Sequence, residues 1–406
     1  MPKKILRITI EVNRGSIGRT AEQLGELCIK EKWESFIAYG RTDGESKSTK
    51  IRIGNKFGVY MHGIFTRLFD LHGKCSYFAT KRFVSKIKKI SPDLIHLHAI
   101  HGYYLNYSVL FKYLKEANIP VVWTQHDCWA YTGHCAHYTE ISCYKWQDQC
   151  HNCPLKGTYP ASLRDRSRKN FIEKKKAFTS VKNMHIVAVS KWMKNELESS
   201  FLNKYPIHLI YNGIDCDRYK PQQDNETATR EKYNLGSKKI LLGVAASWTR
   251  NKGIDDYIQL SGLLPNEYQI VMVGVTPELQ KRFPKEIICI NRTDNINELV
   301  NLYSASLVVL NLSREETFGK TTAEALACGV PGIVYNSTAS PELISKSTGV
   351  VCEKGDINSV LDAIKMIAVW NREETIINCR ERALKHFESK KNYKKYIDLY
   401  KSIIGA

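Results

Sequence analysis

The stretch "SREETFGKTTAEALACGVPGIVYNSTASPELI", Ser313 to Ile344, decides the reading of the whole chain. It begins at the end of the apolar run "SLVVLNLS", which has the length and composition of a buried strand. Glu316 stands in the loop that follows, and Glu324 comes eight residues later inside a helical pattern. Between them "TFGKTT" reads as a helix start, whose first N–H groups lack partners within the helix and face an anion readily. Gly329 then closes that helix and Pro331 opens the next strand. Carboxylates beside a helix N-terminus, at the carboxyl end of a strand, suit a nucleotide-sugar. The helix holds phosphate and the acids hold hydroxyls.

Outward from this stretch the chain alternates short apolar runs with helical patterns. In the first half the runs are "KILRITIEV", "DLIHLHAI", "IPVVWTQH" and "MHIVAVS". Beyond "IHLIYNGID" the pattern restarts with "KKILLGVAAS", "YQIVMVG" and "EIICINRT". Such alternation predicts two parallel, doubly wound α/β sheets. The boundary is placed at Tyr205–Pro206, giving domains 1–205 and 206–385 and a helical tail 386–406. Two such domains bind ligands where the carboxyl ends of their strands share a cleft.

The phrase from Glu316 to Pro331, with its E-x7-E spacing, "ETFG" and "EALACGVP", resembles the retaining GT-B glycosyltransferases of glycosyltransferase family 4. "SWTRNKG" and "IYNGIDCDRYKP" resemble that family's Lys-Gly segment and its interdomain turn, so the resemblance spans nearly the whole chain. It implies the GT-B fold: two Rossmann-like domains facing a central cleft, with a C-terminal helix packing back on the first. It further implies hexosyl transfer from a UDP- or GDP-sugar to a glycan or undecaprenyl-linked acceptor, in bacterial polysaccharide biosynthesis. By resemblance Glu316 contacts the donor sugar, Glu324 the ribose, and Thr317, Phe318 and Gly319 offer backbone amides to sugar and diphosphate. Lys252 clamps the diphosphate. Ser247 departs from the family's frequent Arg at that place, with Arg250 as the nearest cation in sequence.

In the first domain, "NRGSIGRT" is a glycine-rich turn after the first strand, with Gly15 and Gly18 allowing close backbone approach. The resemblance puts Gly15 and Ser16 on the donor diphosphate, with Arg14 and Arg19 as further phosphate contacts. His126 ends "IPVVWTQ" where the family commonly has a His near the transferred sugar. Asp127 is adjacent, and His98 and His101 of "HLHAIHGYY" are expected to border the acceptor. His96 shares a strand face with His98 and reads as a core residue. No unambiguous nucleophile stands out. The expectation is therefore front-face attack, with the leaving phosphate as base and no catalytic metal. Asp215 and Asp217 form a D-x-D string read as turn residues.

A Cys-rich insertion covers about 128–160. Cys135, Cys143, Cys150 and Cys153 are expected to hold a structural zinc, because four thiolates close a tetrahedral site. Free thiols, a disulfide, an iron–sulfur cluster and substitution by His134, His137 or His151 stay open. The aromatic residues of the segment fit sugar stacking or a satellite core. Net charge is +19, and 34 Lys and Arg against 17 Asp and Glu fall in residues 1–205. That balance suits anionic partners. Seven Lys or Arg lie between Arg164 and Lys176, with Leu163, Phe171 and Phe178 as anchors, a pattern that fits an anionic membrane surface. No signal-peptide core and no run near the ~18 apolar residues of a membrane span is present, so a cytoplasmic location is expected. A nucleic-acid-binding zinc-knuckle protein, a phosphorylase and a sugar-nucleotide epimerase are the competing readings. The first leaves the Glu316–Pro331 phrase without a job, and that phrase disfavours the other two; no nucleic acid is expected as partner.

Overall fold

The computed structural model describes residues 1–405, the side chain of Gln223 excepted. The chain forms two compact units: Met1–Ile210 with the residues from Tyr393 onward, and Tyr211–Asn392. The first boundary falls at Ile210 rather than at Tyr205–Pro206, because Ile207–Leu209 adds a further strand to the first sheet. The second falls at Asn392, inside the last helix, rather than at 385.

The first unit holds seven strands: β1 (Lys4–Thr9), β2 (Glu34–Tyr39), β3 (Thr49–Arg52), β4 (Leu94–Leu97), β5 (Val121–Gln125), β6 (Met184–Ala188) and β7 (Ile207–Leu209). They pair in parallel in the order β3-β2-β1-β4-β5-β6-β7. The second unit holds β8 (Lys239–Val244), β9 (Tyr268–Val273), β10 (Ile288–Ile290), β11 (Val308–Asn311), β12 (Gly332–Tyr335) and β13 (Gly349–Cys352). Their order is β10-β9-β8-β11-β12-β13, again parallel. Central strands such as β5 and β11 are buried along their length, since helices cover both faces. In each sheet the order reverses once, between β1 and β4 and between β8 and β11. The crevice beyond such a reversal is where open α/β sheets take ligands.

The two faces of the first sheet are covered differently. Leu6, Ile8, Ile95 and Leu97 face a large cluster with the helices Tyr77–Ile90 and Tyr107–Ala117. Ile5, Leu94, Val122 and Val187 face Tyr393, Tyr396, Ile397 and Tyr400 of the helix Ser389–Ile404. Those tyrosines also bond inward: Tyr400 to His96 Nδ1 at 2.5 Å, Tyr396 to Thr124 at 3.1 Å and Tyr393 to Thr20 at 3.2 Å. His96 Nε2 completes the set on Thr124 at 2.8 Å, which makes His96 a core residue. No helix among the described residues is long and apolar enough to cross a membrane.

Four histidines of this unit are buried and kept neutral. Burial draws His62 down to about 4, and His72, His96 and His98 well below the usual value. His62 and His72 also spend Nε2 on the N–H groups of Gly73 and Gly102. A folded pKa below the unfolded one means that the unfolded chain binds more protons as pH falls. The stabilisation is therefore complete above about 6.5 and is lost below it, at up to roughly 1.4 kcal/mol per pH unit per histidine. Calorimetric melting of the first unit is expected to fall steadily from about pH 6.5 to 5, with a shallower slope in His96→Asn. A melting temperature independent of pH over that range would contradict the assignment.

Candidate functional site

The second unit's crevice is built from two turns that interlock. After β8 the chain makes a short 3-10 turn, Arg250–Lys252, ended by Gly253 at φ 77°. A Cβ on Gly253 would stand 2.3 Å from the Leu312 carbonyl oxygen, so the turn lies directly against the end of β11. The loop after β11 is fastened to it. Arg314 N–H donates to Asn251 O at 2.8 Å, Arg314 grips Asp256 at 2.8 and 3.0 Å, and Asn251 donates to Glu315 at 3.0 Å. Lys252 Nζ thereby meets Glu316 Oε1 at 2.5 Å. From the other side Glu316 N–H donates to Thr338 Oγ1 at 2.8 Å, and its carbonyl accepts Ala339 N–H at 3.1 Å.

The chain then enters the helix Lys320–Ala327, whose N-cap Gly319 has φ 93°. A Cβ there would come 2.7 Å from Leu343 Cδ1. No acid occupies the first turn, so the positive end of the helix is left uncompensated. The Phe318 ring is buried against Tyr211 and Phe387, which leaves its backbone as the part it can present. Glu324 is nearly buried on the same helix and accepts the Tyr303 hydroxyl at 3.2 Å. Ser247 and Arg250 lie exposed beside this turn. Asp215 accepts Arg218 N–H of its own turn at 3.1 Å, and Asp217 pairs with Lys390 of the last helix.

In the first unit, the helix after β1 starts at Gly15, so most of the glycine-rich stretch is the first turn of that helix. Gly15 takes φ 58°, and Arg14, Gly15, Ser16 and Arg19 are exposed. Gly18 serves packing instead of ligand approach: its Cβ would lie 2.8 Å from the Glu11 carbonyl oxygen. Beyond β4 and β5 the histidines assemble. His98 Nδ1 and His126 Nε2 are 3.1 Å apart with stacked rings. His101 Nε2 bonds Asp127 Oδ2 at 2.8 Å, its Nδ1 faces the Tyr159 hydroxyl at 3.2 Å, and Trp129 N–H donates to Asp127 Oδ1 at 2.9 Å. Burial works against the Asp127 charge, but His101 outweighs it and holds the carboxyl well below the usual range. His98, His101, Gln125, His126, Asp127 and Trp129 line a cavity of about 10 Å³, the room of one water. His98 Nε2 and Gln125 Nε2 are buried there with no protein partner.

The insertion has no strands, only the 3-10 turns Thr139–Ile141 and Lys145–Gln147. Trp129, Tyr131, Tyr138 and Trp146 are buried in the same core as Leu6, Ile8, Ile95 and Leu97 of the first sheet, not in a satellite core of their own, so they are not free to stack on a sugar; Tyr144 and Tyr159 stay half-exposed. Cys135 and Cys153 are free thiols hydrogen-bonded to one another, which raises the first and lowers the second. Burial raises Cys150 to about 12; Gly133 N–H reaches its sulfur at 3.1 Å, and Cys143 and Cys153 are close enough to act on it. His134 Nδ1 bonds the buried Asp70 at 2.7 Å, and its Nε2 has no partner. Among the described residues no two cysteines form a disulfide, and no three His, Cys, Asp or Glu side chains stand in a metal-holding arrangement.

The basic helix Ser167–Phe178 supports this insertion. Phe171 and Phe178 are buried, and Lys174 is sunk beneath Trp129, donating to the carbonyls of Trp129 and Thr132 at 2.7 and 3.1 Å. Burial brings that ammonium down to about 7. The two phenylalanines expected to anchor this helix on lipid are therefore core residues, and only Leu163 of the expected anchors is exposed.

Residues 17–218 match Glycosyltransferase Family 4 and residues 225–386 match Glycosyl transferases group 1. The chain is 20% identical to the putative colanic acid biosynthesis glycosyl transferase WcaC of Escherichia coli, over 98% of this chain and 100% of that protein. It is 30% identical to the N-acetyl-alpha-D-glucosaminyl L-malate synthase of Bacillus anthracis, over 54% of this chain and 60% of that one. Its fold is similar to that of the Thermosynechococcus elongatus sucrose-phosphate synthase (TM-score 0.73, 18% identity, 99% of both chains). It is similar also to Anabaena HepE, solved in complex with UDP-glucose (TM-score 0.67, 14% identity, 98% of this chain and 99% of that one). With two doubly wound sheets, a Lys252–Glu316 pair at the reversal of the second and matches running from residue 17 to residue 386, the chain belongs to the GT-B glycosyltransferases of family 4.

Proposed function

We propose that the protein transfers a hexose, with retention, from a UDP- or GDP-sugar to a glycan or undecaprenyl-linked glycan in bacterial polysaccharide biosynthesis. The Lys252–Glu316 pair carries this reading. An ammonium and a carboxylate locked together at the carboxyl ends of β8 and β11 offer one charge to a diphosphate and one acceptor to sugar hydroxyls. The N-terminus of the helix Lys320–Ala327 adds N–H groups of Thr317–Gly319 type for the phosphates. Glu324 takes the ribose, and the exposed Gly15–Ser16 turn of the first unit is a further backbone oxyanion contact.

In the proposed reaction the bond from the anomeric carbon to the diphosphate breaks, and the acceptor oxygen bonds to the same face. The acceptor proton passes to the leaving phosphate oxygen. His126, steadied by His98, bonds a sugar hydroxyl or donor phosphate, and His101 with Asp127 borders the acceptor. Lys252 and the helix N-terminus offset the developing charge, so no catalytic metal enters the scheme. The protein would work at the inner face of the plasma membrane. Support for a nucleotide-sugar donor comes from the family assignment and from HepE, a neighbour in fold solved with UDP-glucose.

A structural zinc on Cys135, Cys143, Cys150 and Cys153 is part of the proposal. What supports it is the donor chemistry: four thiols within residues 135–153, with the buried His134 Nε2, which has no protein partner and whose ring is oriented by Asp70, as the substitute for one of them. A closed set of this kind would clip the insertion and take no part in transfer.

Glu316→Gln is expected to lower transfer about 10²-fold or more while the melting temperature stays near that of the parent. Undiminished turnover would remove Glu316 from the site. NMR of the product should show the donor's anomeric configuration, and an inverted product would overturn front-face transfer. Elemental analysis of the purified protein should find zinc, and Cys150→Ser or Cys153→Ser should lose it; a metal-free parent protein would end the zinc assignment.

A further inference from the structure

The helix Lys56–Phe69 is amphipathic the wrong way round. Its buried residues are His62 and Thr66, while Phe57 is 71% exposed and Tyr60 68%. Phe65, Leu68 and Phe69 on the same helix are exposed as well. The next helix, Tyr77–Ile90, adds Phe78 at 72% and a half-exposed Tyr77. A helix in a water-facing protein turns its apolar stripe inward. Contiguous exposed aromatic surface marks a binding surface.

Between these two helices lies a groove of about 660 Å³. Val59, Met61, Phe65 and Phe83 contribute apolar walls, with Asn55, Ser76 and Tyr77 among the polar lining residues. Arg52, Arg82 and Lys86 also line the groove, and no Asp or Glu does. Arg82 and Lys86 lie four residues apart, on one face of their helix. Between Glu45 and Asp93 the chain carries eleven Lys or Arg and a single acid, Asp70, which is buried on His134. The surface is thus apolar at its centre and cationic all round. A second copy of the same surface would repel it. The complementary partner is anionic at one end and hydrocarbon at the other.

We propose that this groove takes the hydrocarbon chain of a phosphate-headed membrane lipid, with Arg52, Arg82 and Lys86 on the headgroup. The inference deepens the membrane-facing part of the reading above and is independent of the transfer chemistry. It moves the lipid contact from the basic helix Ser167–Phe178, whose phenylalanines are in the core, to the surface whose phenylalanines are not.

Co-sedimentation of the full chain with vesicles tests it. The protein is expected to pellet with phosphatidylglycerol-containing phosphatidylcholine vesicles and to stay in solution with phosphatidylcholine alone. Phe57→Ser with Phe78→Ser, and separately Arg82→Glu with Lys86→Glu, should each cut vesicle affinity about tenfold or more. Both double variants should keep the parent's melting temperature and its thermal shift with UDP- or GDP-sugars, which reports on the donor site alone. A parent that ignores anionic vesicles overturns the inference. So does a Phe57→Ser, Phe78→Ser variant that binds them as the parent does, since charge alone would then suffice. Tight binding of a single-stranded oligonucleotide that depends on Phe57 and Phe78 would reassign the groove to nucleic acid. A donor shift without vesicle binding would leave the transferase reading standing and the lipid groove refuted.

Discussion

Gly253 has φ 77°, and no side chain fits between it and the Leu312 carbonyl, 2.3 Å from where a Cβ would sit. The geometry of the second unit's site follows from that approach. The turn carrying Lys252 is pressed onto the end of β11, the Arg314–Asp256 and Asn251–Glu315 bonds fasten it there, and Lys252 is left with Glu316 as its neighbour. A substitution at Gly253 would meet backbone, which cannot swing aside as a side-chain tip can. It would also force a left-handed conformation on a residue with a Cβ. The ammonium–carboxylate pair is thus positioned by main chain on both sides, the arrangement that keeps a charged site preorganised.

The central strands were legible because a parallel sheet covered on both faces asks for unbroken apolar runs, and β1, β5, β8, β9 and β11 supply them. β3 was not, since "TKIR" at the sheet's edge buries only one residue. β2 follows the first helix so closely that its apolar residues merge with the helical pattern, and β13 is four residues with only two buried. The residues of the second site were legible through a local phrase, Glu316 to Pro331. What joins them was not: Arg314 and Asp256 are 58 residues apart, Lys252 and Glu316 64, and no local pattern announces either pairing. The same holds for His98 and His126, each the residue just beyond one of two neighbouring strands.

Charge was the least reliable guide to position. The run Arg164–Lys176 looked like a surface feature, yet Lys174 is buried under Trp129 and tied to two carbonyls of the insertion. A long side chain can sink its stem and satisfy its head on backbone oxygens, so composition alone does not say which lysines meet water. The helix Lys56–Phe69 is the converse case. Its aromatic residues would ordinarily be assigned to the core, and its buried His62 to the surface.

The helix Ser389–Ile404 covers one face of a sheet whose first strand begins at Lys4. During synthesis Ile5, Leu94, Val122 and Val187 therefore have only part of their cover, Leu24 and Cys28 of the first helix, until the ribosome has passed Tyr393. The Tyr211–Asn392 segment comes in between, roughly 10–40 s of elongation at ordinary rates. Through that interval the second unit can close on its own residues while the first waits half-dressed. The order of completion thus runs opposite to the order of translation, and the unfinished sheet is the surface a chaperone would meet first.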